Sequence, residues 1–293
     1  MQDHHDTTRV HYQTLEIEGV SLFYREAGPV DAPVVLLLHG FGASSFMFRD
    51  LIPVLARRYR VLAPDLPGFG RTDVLPGARF DYTFDRLAAV IDAFTVAKEV
   101  GRYALYVFDY GAPVGWRLAV DNPEKISAIF TQNGNGYEEG LSAGWDDMRR
   151  AWAEPTPAHR EALRRFNTPA MIAWQYTEGV PDTSVLAPEA WLLTSMDIER
   201  IGVEPQMDLL LDYGSNVAHY PRLHDYLRRH QPPLLALWGR NDPFFVPAGA
   251  EAFRRDVPDA EVRFLDTGHF AIETHGAEIA AALLEFLDRS VAR

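Results

Sequence analysis

The stretch Tyr103-Ala104-Leu105-Tyr106-Val107-Phe108-Asp109-Tyr110-Gly111-Ala112-Pro113-Val114-Gly115 decides how this chain reads. Its opening residues are apolar, aromatic or β-branched, which is the composition of a buried strand. The run breaks at Asp109-Tyr110-Gly111 and resumes as Trp116-Arg117-Leu118-Ala119-Val120, which reads as a helix. A sharp strand-to-helix turn with a reactive side chain at its tip is a nucleophile elbow. Here the tip residue is Asp109. An Asp between strand and helix also serves as an N-cap, because its carboxylate accepts orphan helix N–H groups. Gly111, Ala112 and Gly115 favour the elbow, since strand and helix can then pack closely. Val107 is bulkier than a serine-type elbow prefers.

Outward from this stretch, apolar runs alternate with helical periodicity. Residues 15–18 and 20–25 alternate apolar and polar around Gly19, as an edge hairpin does. Val34-Val35-Leu36-Leu37-Leu38 is continuous, as in a strand buried on both faces. It ends at His39-Gly40-Phe41-Gly42, after which Ser44 or Ser45 is placed to cap a helix reaching about residue 56. A short strand at 60–63 leads into the loop Asp65-Leu66-Pro67-Gly68-Phe69-Gly70-Arg71-Thr72. Leu87, Val90, Ile91 and Phe94 give helical spacing over 83–97. Beyond the elbow come a strand at 126–131, a strand at 234–238, a helix at 248–256, a strand at 261–265 and a helix at 276–288. Between 137 and 230 no clear strand occurs, only helical fragments such as 160–166, many prolines and four of the chain's tryptophans.

This alternation predicts an α/β fold: a mostly parallel central sheet with helices on both faces. The core would comprise 1–135 and 231–293, with a helical cap inserted at 136–230. In such sheets functional residues collect at the carboxyl ends of the strands. His39, Asp109, Asp242 and His269 each fall just after a strand, on that one edge.

The chain of 293 residues carries a formal net charge of −13, which argues against nucleic acid as a partner. No apolar run approaches membrane-spanning length. With no cysteine there is neither a disulfide framework nor a thiolate metal site, and a cytoplasmic location is expected. His4 and His5, beside Asp3 and Asp6, read as a polar tail rather than a metal site.

A carboxylate is a poor nucleophile towards a carbonyl but can displace a leaving group from saturated carbon, leaving an ester. The backbone N–H groups of Phe41 and Tyr110 are the candidates to stabilise the oxyanion as that ester is hydrolysed. His269 is the candidate base for the attacking water, and Asp242 the carboxylate that holds its tautomer. Separately, His269 reads as a surface or capping residue and Asp242 as a turn residue before Pro243. Together, the order Asp109, Asp242, His269 is the nucleophile-acid-base order of α/β-hydrolases.

On His39-Gly40-Phe41-Gly42, the 65–70 loop, Phe108-Asp109-Tyr110-Gly111, Trp238-Gly239-Arg240-Asn241-Asp242 and Gly268-His269-Phe270, the chain resembles the epoxide hydrolase and haloalkane dehalogenase group of the α/β-hydrolase fold. The resemblance runs over almost the whole chain. It implies a cofactor-independent, metal-free hydrolase with an Asp109 ester intermediate. Haloalkane dehalogenases typically carry Trp where Tyr110 stands, so the resemblance implies an epoxide before a halide. Fluoroacetate dehalogenases carry Arg beside the nucleophile, and none is found here. Epoxide hydrolases use cap tyrosines to protonate the departing oxygen. Asp212-Tyr213-Gly214-Ser215-Asn216 resembles the segment bearing one of these, although Gly214 replaces the usual Arg. Tyr213 is thus a catalytic candidate, and Trp152, Tyr137 and Tyr176 are substrate-binding candidates.

The aromatic-rich insertion suggests a small apolar or aromatic substrate, and a homodimer is left open. Gly140-Leu141-Ser142-Ala143-Gly144 matches the G-x-S-x-G pattern of serine hydrolases, but no strand leads into it. A serine esterase and a non-catalytic binding protein on a hydrolase scaffold are the rival readings.

Overall fold

The computed structural model describes residues 8–291. His4 and His5 of the polar tail lie outside the described residues. The hairpin around Gly19 is longer than its alternation suggests, with β1 (His11–Ile17) and β2 (Val20–Ala27) paired antiparallel at the sheet edge. β3 (Val34–Leu38), β4 (Arg60–Pro64), β6 (Tyr103–Phe108), β7 (Ile126–Gln132), β8 (Leu234–Gly239) and β9 (Glu261–Leu265) form the parallel body, and the short β5 (Asp73–Val74) pairs with β2. The sheet order is β1-β2-β4-β3-β6-β7-β8-β9. β3, β6 and β8 are buried along their full length, which explains their unbroken apolar runs.

Helices α1 (Leu51–Leu55), α2 (Phe84–Ala97), α3 (Gly111–Asp121), α9 (Pro247–Asp256) and α10 (Ala271–Ser290) flank the sheet. Thr83 caps α2 by accepting from the Arg86 N–H. Ser44 caps as expected, but it caps a 3-10 turn, Ser45–Phe48, which leads into the short α1. α10 starts five residues before the expected 276, directly after the His269-Phe270 pair, and kinks at His275. The first turn carries little apolar periodicity, so the sequence hid it.

Between β7 and β8 lie α4 (Asp146–Ala153), α5 (Pro157–Ala162), α6 (Pro169–Thr177), α7 (Glu189–Ile201) and the 27-residue α8 (Glu204–His230). α8 continues through Pro221, an interruption that concealed it in the sequence. α8 is tied to the core through the buried Arg117 on α3, which donates to Asn216 Oδ1 at 2.7 Å and Ser215 Oγ at 3.1 Å.

Candidate active site

Asp109 directly follows β6 at φ +45, in the left-handed region that a residue with a Cβ enters only at some cost. Its neighbours make this turn feasible. A Cβ on Gly111 would lie 2.2 Å from the Leu38 carbonyl oxygen, and one on Gly40 would lie 2.4 Å from Asp109 Cβ. A Cβ on Gly115 would meet Val107 Cγ1 at 2.5 Å. The bulk of Val107 is therefore absorbed by Gly115.

Asp109 Oδ1 accepts the Phe41 N–H at 2.5 Å. The Tyr110 N–H, next in the chain, favours the charged form of this carboxylate. His269 Nε2 stands 3.7 Å from Asp109 Oδ2. His269 Nδ1–H donates to Asp242 Oδ2 at 2.6 Å, which leaves Nε2 facing Asp109. Asp242 Oδ1 accepts the N–H groups of Phe244 and Phe245 at 2.8 and 3.1 Å, so the carboxylate is fully used. The structure thus brings together Asp109, Asp242, His269, Phe41 and Tyr110, and all are buried.

Burial pushes the Asp109 carboxyl up to about 6, against the lowering effects of His269 and the two N–H groups. For His269, burial works downward, but the charge and hydrogen bond of Asp242, with the charge of Asp109, outweigh it and hold the imidazole above its usual value. His39 is a support residue: its Nε2 accepts the Leu66 N–H at 2.9 Å, so Nδ1 carries the proton and bonds the Gly40 carbonyl. Burial pulls its pKa down, consistent with a neutral ring.

Two supporting residues had no signal beyond their place at a strand end. Asn133, at φ +48 just after β7, donates to Asp242 Oδ2 at 2.7 Å and accepts the Gly239 N–H at 2.9 Å. Gln132 donates to Asn133 Oδ1 at 2.9 Å and to the His269 carbonyl at 3.0 Å. Together they fix the loops that carry Asp242 and His269.

A cavity of about 30 Å³ lies over Asp109, walled by apolar side chains including Phe41, Met148, Phe166 and Leu210, with Gln175 as a polar member. That is room for about one water molecule. An aromatic ring enters only if the wall moves.

None of the four aromatic candidates lines this cavity. Tyr213 is wholly enclosed, packed between Tyr110, Phe84, Trp145 and Trp152, and its hydroxyl finds no partner. The Trp152 indole N–H is committed to the Leu210 carbonyl at 2.8 Å. Tyr137 donates to Asp256 at 2.8 Å, away from Asp109. Tyr176 donates to the Gly42 carbonyl at 2.7 Å. Ser142 caps a 3-10 turn, accepting the Gly144 N–H, and its hydroxyl donates to the Pro243 carbonyl at 2.6 Å, with no histidine beside it. Among the described residues no cluster suits a metal ion, and no helix is long and apolar enough to cross a membrane.

Known proteins share both the sequence pattern and the fold. A family model for the alpha/beta hydrolase fold matches residues 33–276. The uncharacterised hydrolase YNR064C of Saccharomyces cerevisiae is 43% identical over 272 residues, covering 91% of this chain and 93% of the relative. A haloalkane dehalogenase of Psychrobacter cryohalolentis is 26% identical over 284 residues, covering 93% and 89%. The crystal structure of an epoxide hydrolase from Vigna radiata matches with a TM-score of 0.74 at 23% identity, over 96% of this chain and 98% of its own, a likeness of fold.

Proposed function

The chain belongs to the α/β-hydrolase fold family, and on that premise we propose a cofactor-independent hydrolase that works at saturated carbon through an ester on Asp109. The observation that carries this reading is the line from Asp109 to His269 Nε2 at 3.7 Å and from His269 Nδ1 to Asp242 at 2.6 Å. Asp109 Oδ1 is held by the Phe41 N–H, which leaves Oδ2 to attack. The new Oδ2–carbon bond forms as the carbon–leaving-group bond breaks. Water then attacks Asp109 Cγ, giving its proton to His269 Nε2, while charge collects on Oδ1 against the Phe41 and Tyr110 N–H groups. Collapse breaks Cγ–Oδ2, His269 Nε2–H returns its proton to the departing oxygen, and the alcohol is released.

An epoxide is the leading substrate class. Tyr110 lines the cavity next to the nucleophile, at the position where the resemblance gives haloalkane dehalogenases a Trp whose N–H would hold a departing halide, and its side chain has no such N–H. The second reading, halide displacement, is favoured by the Gln175 amide in the cavity wall and by the dehalogenase among the relatives.

One turnover in heavy-oxygen water tests the mechanism. The label should appear first in the Asp109 carboxylate and reach the alcohol only on later turnovers. Label entering product directly, with none on Asp109, would sink the ester. A panel of small epoxides and haloalkanes, with diol and halide measured separately, decides between the leaving groups. No product from any member would favour the binding-protein reading.

A further inference from the structure

We propose that Tyr176 and Thr194, both on the helical insertion, are positioning residues that hold the Phe41 N–H on Asp109 by clamping the carbonyl of Gly42. Gly42 comes directly after Phe41 and sits at φ +69, where the lack of a Cβ leaves the backbone free to turn. Its carbonyl accepts two hydroxyls, from Tyr176 and from Thr194, each at 2.7 Å. A carbonyl oxygen has two lone pairs, so this pair saturates it. Tyr176 comes from α6 and Thr194 from α7. The two donors converge only when both helices are seated.

Tyr176 also reaches the other half of the site. Its ring lies flat on Phe270, with centroids 3.6 Å apart and planes 5° from parallel. Phe270 is next in sequence to His269 and touches its ring edge-on at 5.0 Å. One residue of the insertion therefore braces the oxyanion loop with its hydroxyl and the base loop with its ring. Neither Tyr176 nor Thr194 lines the cavity, so substrate contact is not what keeps their hydroxyls there.

The neighbouring loop is held in a similar way. Gln206 on α8 donates to the Gly68 carbonyl and Arg200 on α7 to the Gly70 carbonyl, and both glycines have positive φ. The insertion thus grips three glycine carbonyls in the two loops beside the elbow. Gly42 is the one adjacent to a residue that bonds Asp109.

The catalytic consequence rests on the proposed ester. A loosened Gly42 lets the Phe41 N–H drift from Oδ1. This weakens stabilisation of the charge that builds there during ester hydrolysis more than it weakens the first displacement. The ester should then accumulate.

The positioning itself is tested without substrate. In 1H–15N NMR of the full chain, the Phe41 amide, 2.5 Å from a carboxylate oxygen, should resonate far downfield. In Tyr176→Phe, Thr194→Val and the double variant it should move upfield and exchange about tenfold faster or more. Thr194→Ser, which keeps the hydroxyl, should restore it. With 1,2-epoxybutane as probe, kcat and KM should fall together, about tenfold in the double variant, leaving kcat/KM little changed, and intact-mass analysis should find more esterified enzyme. A Phe41 amide unmoved in the double variant overturns the proposal, whatever happens to activity. A shifted amide supports it even if neither the variants nor His269→Gln ever traps an ester, a result that would instead remove Asp109 as nucleophile.

Discussion

Asp109 carries a desolvation penalty that a neutral side chain of the same shape would avoid. Its pKa rises from 3.8 in the open chain to about 6 in the fold. The folded state therefore binds the proton more tightly, and wild-type stability falls as pH rises through this window. Asp109→Asn should abolish turnover, by a factor of about 10⁴ or more. It should also stabilise the fold at pH 8 by up to about 3 kcal/mol, an advantage that shrinks towards zero near pH 4. Urea unfolding of both proteins at the two pH values checks this. An Asn variant no more stable at pH 8 than at pH 4 would show that the N–H groups and His269 already offset the burial. At this scale the sequence was most legible in the loops that follow strands. Asp109, Asp242 and His269 each lie in such a loop, so topology alone collects them. Tyr213 has a local resemblance but no topological constraint, and where an aromatic ring points inside a helical insertion depends on packing that no spacing encodes.

At the scale of the element, the elbow is a matched pair of sizes. Val107 Cγ1 fills the space that a Cβ on Gly115 would need. Gly115→Ala should therefore destabilise the protein by about 1–3 kcal/mol, even though alanine is the better helix former. Val107→Ala in the same chain should recover much of that loss, because it removes the methyl that clashes. A double-mutant cycle by urea unfolding measures the coupling, and additive effects would refute the pairing. A similar trade explains why α8 escaped the sequence reading. Gly214 interrupts its helical pattern, yet a Cβ there would lie 3.1 Å from the Trp152 ring. The glycine that weakens α8 locally makes room for Trp152 to cross it and bond the Leu210 carbonyl. The strands needed no such context, since a run buried on both faces is apolar at every position.

For the whole molecule, the loops after the strands supply Asp109, Asp242 and His269, the proposed nucleophile, acid and base, and the insertion closes over them. Core walls such as Phe41 and Tyr110 come from the rigid loops, whereas Met148, Phe166, Gln175 and Leu210 come from the inserted helices and their connections. The cavity of about 30 Å³ is tight, so substrate size should depend on how far the inserted wall yields. Leu210 is buried on α8 and reaches this wall. Leu210→Ala should enlarge the cavity at a stability loss of about 2–5 kcal/mol, the usual range for such a truncation. It should raise kcat/KM for styrene oxide relative to 1,2-epoxybutane by about tenfold, the scale of discrimination that a few methylenes can supply. The ratio is measured by competition between the two epoxides in one vessel, with a haloalkane pair of matching sizes as the parallel if halide is the leaving group. An unchanged ratio with the expected stability loss would mean that the wall already opens fully during turnover. Size selection would then lie along the entry path, and the narrow cavity would describe a resting state.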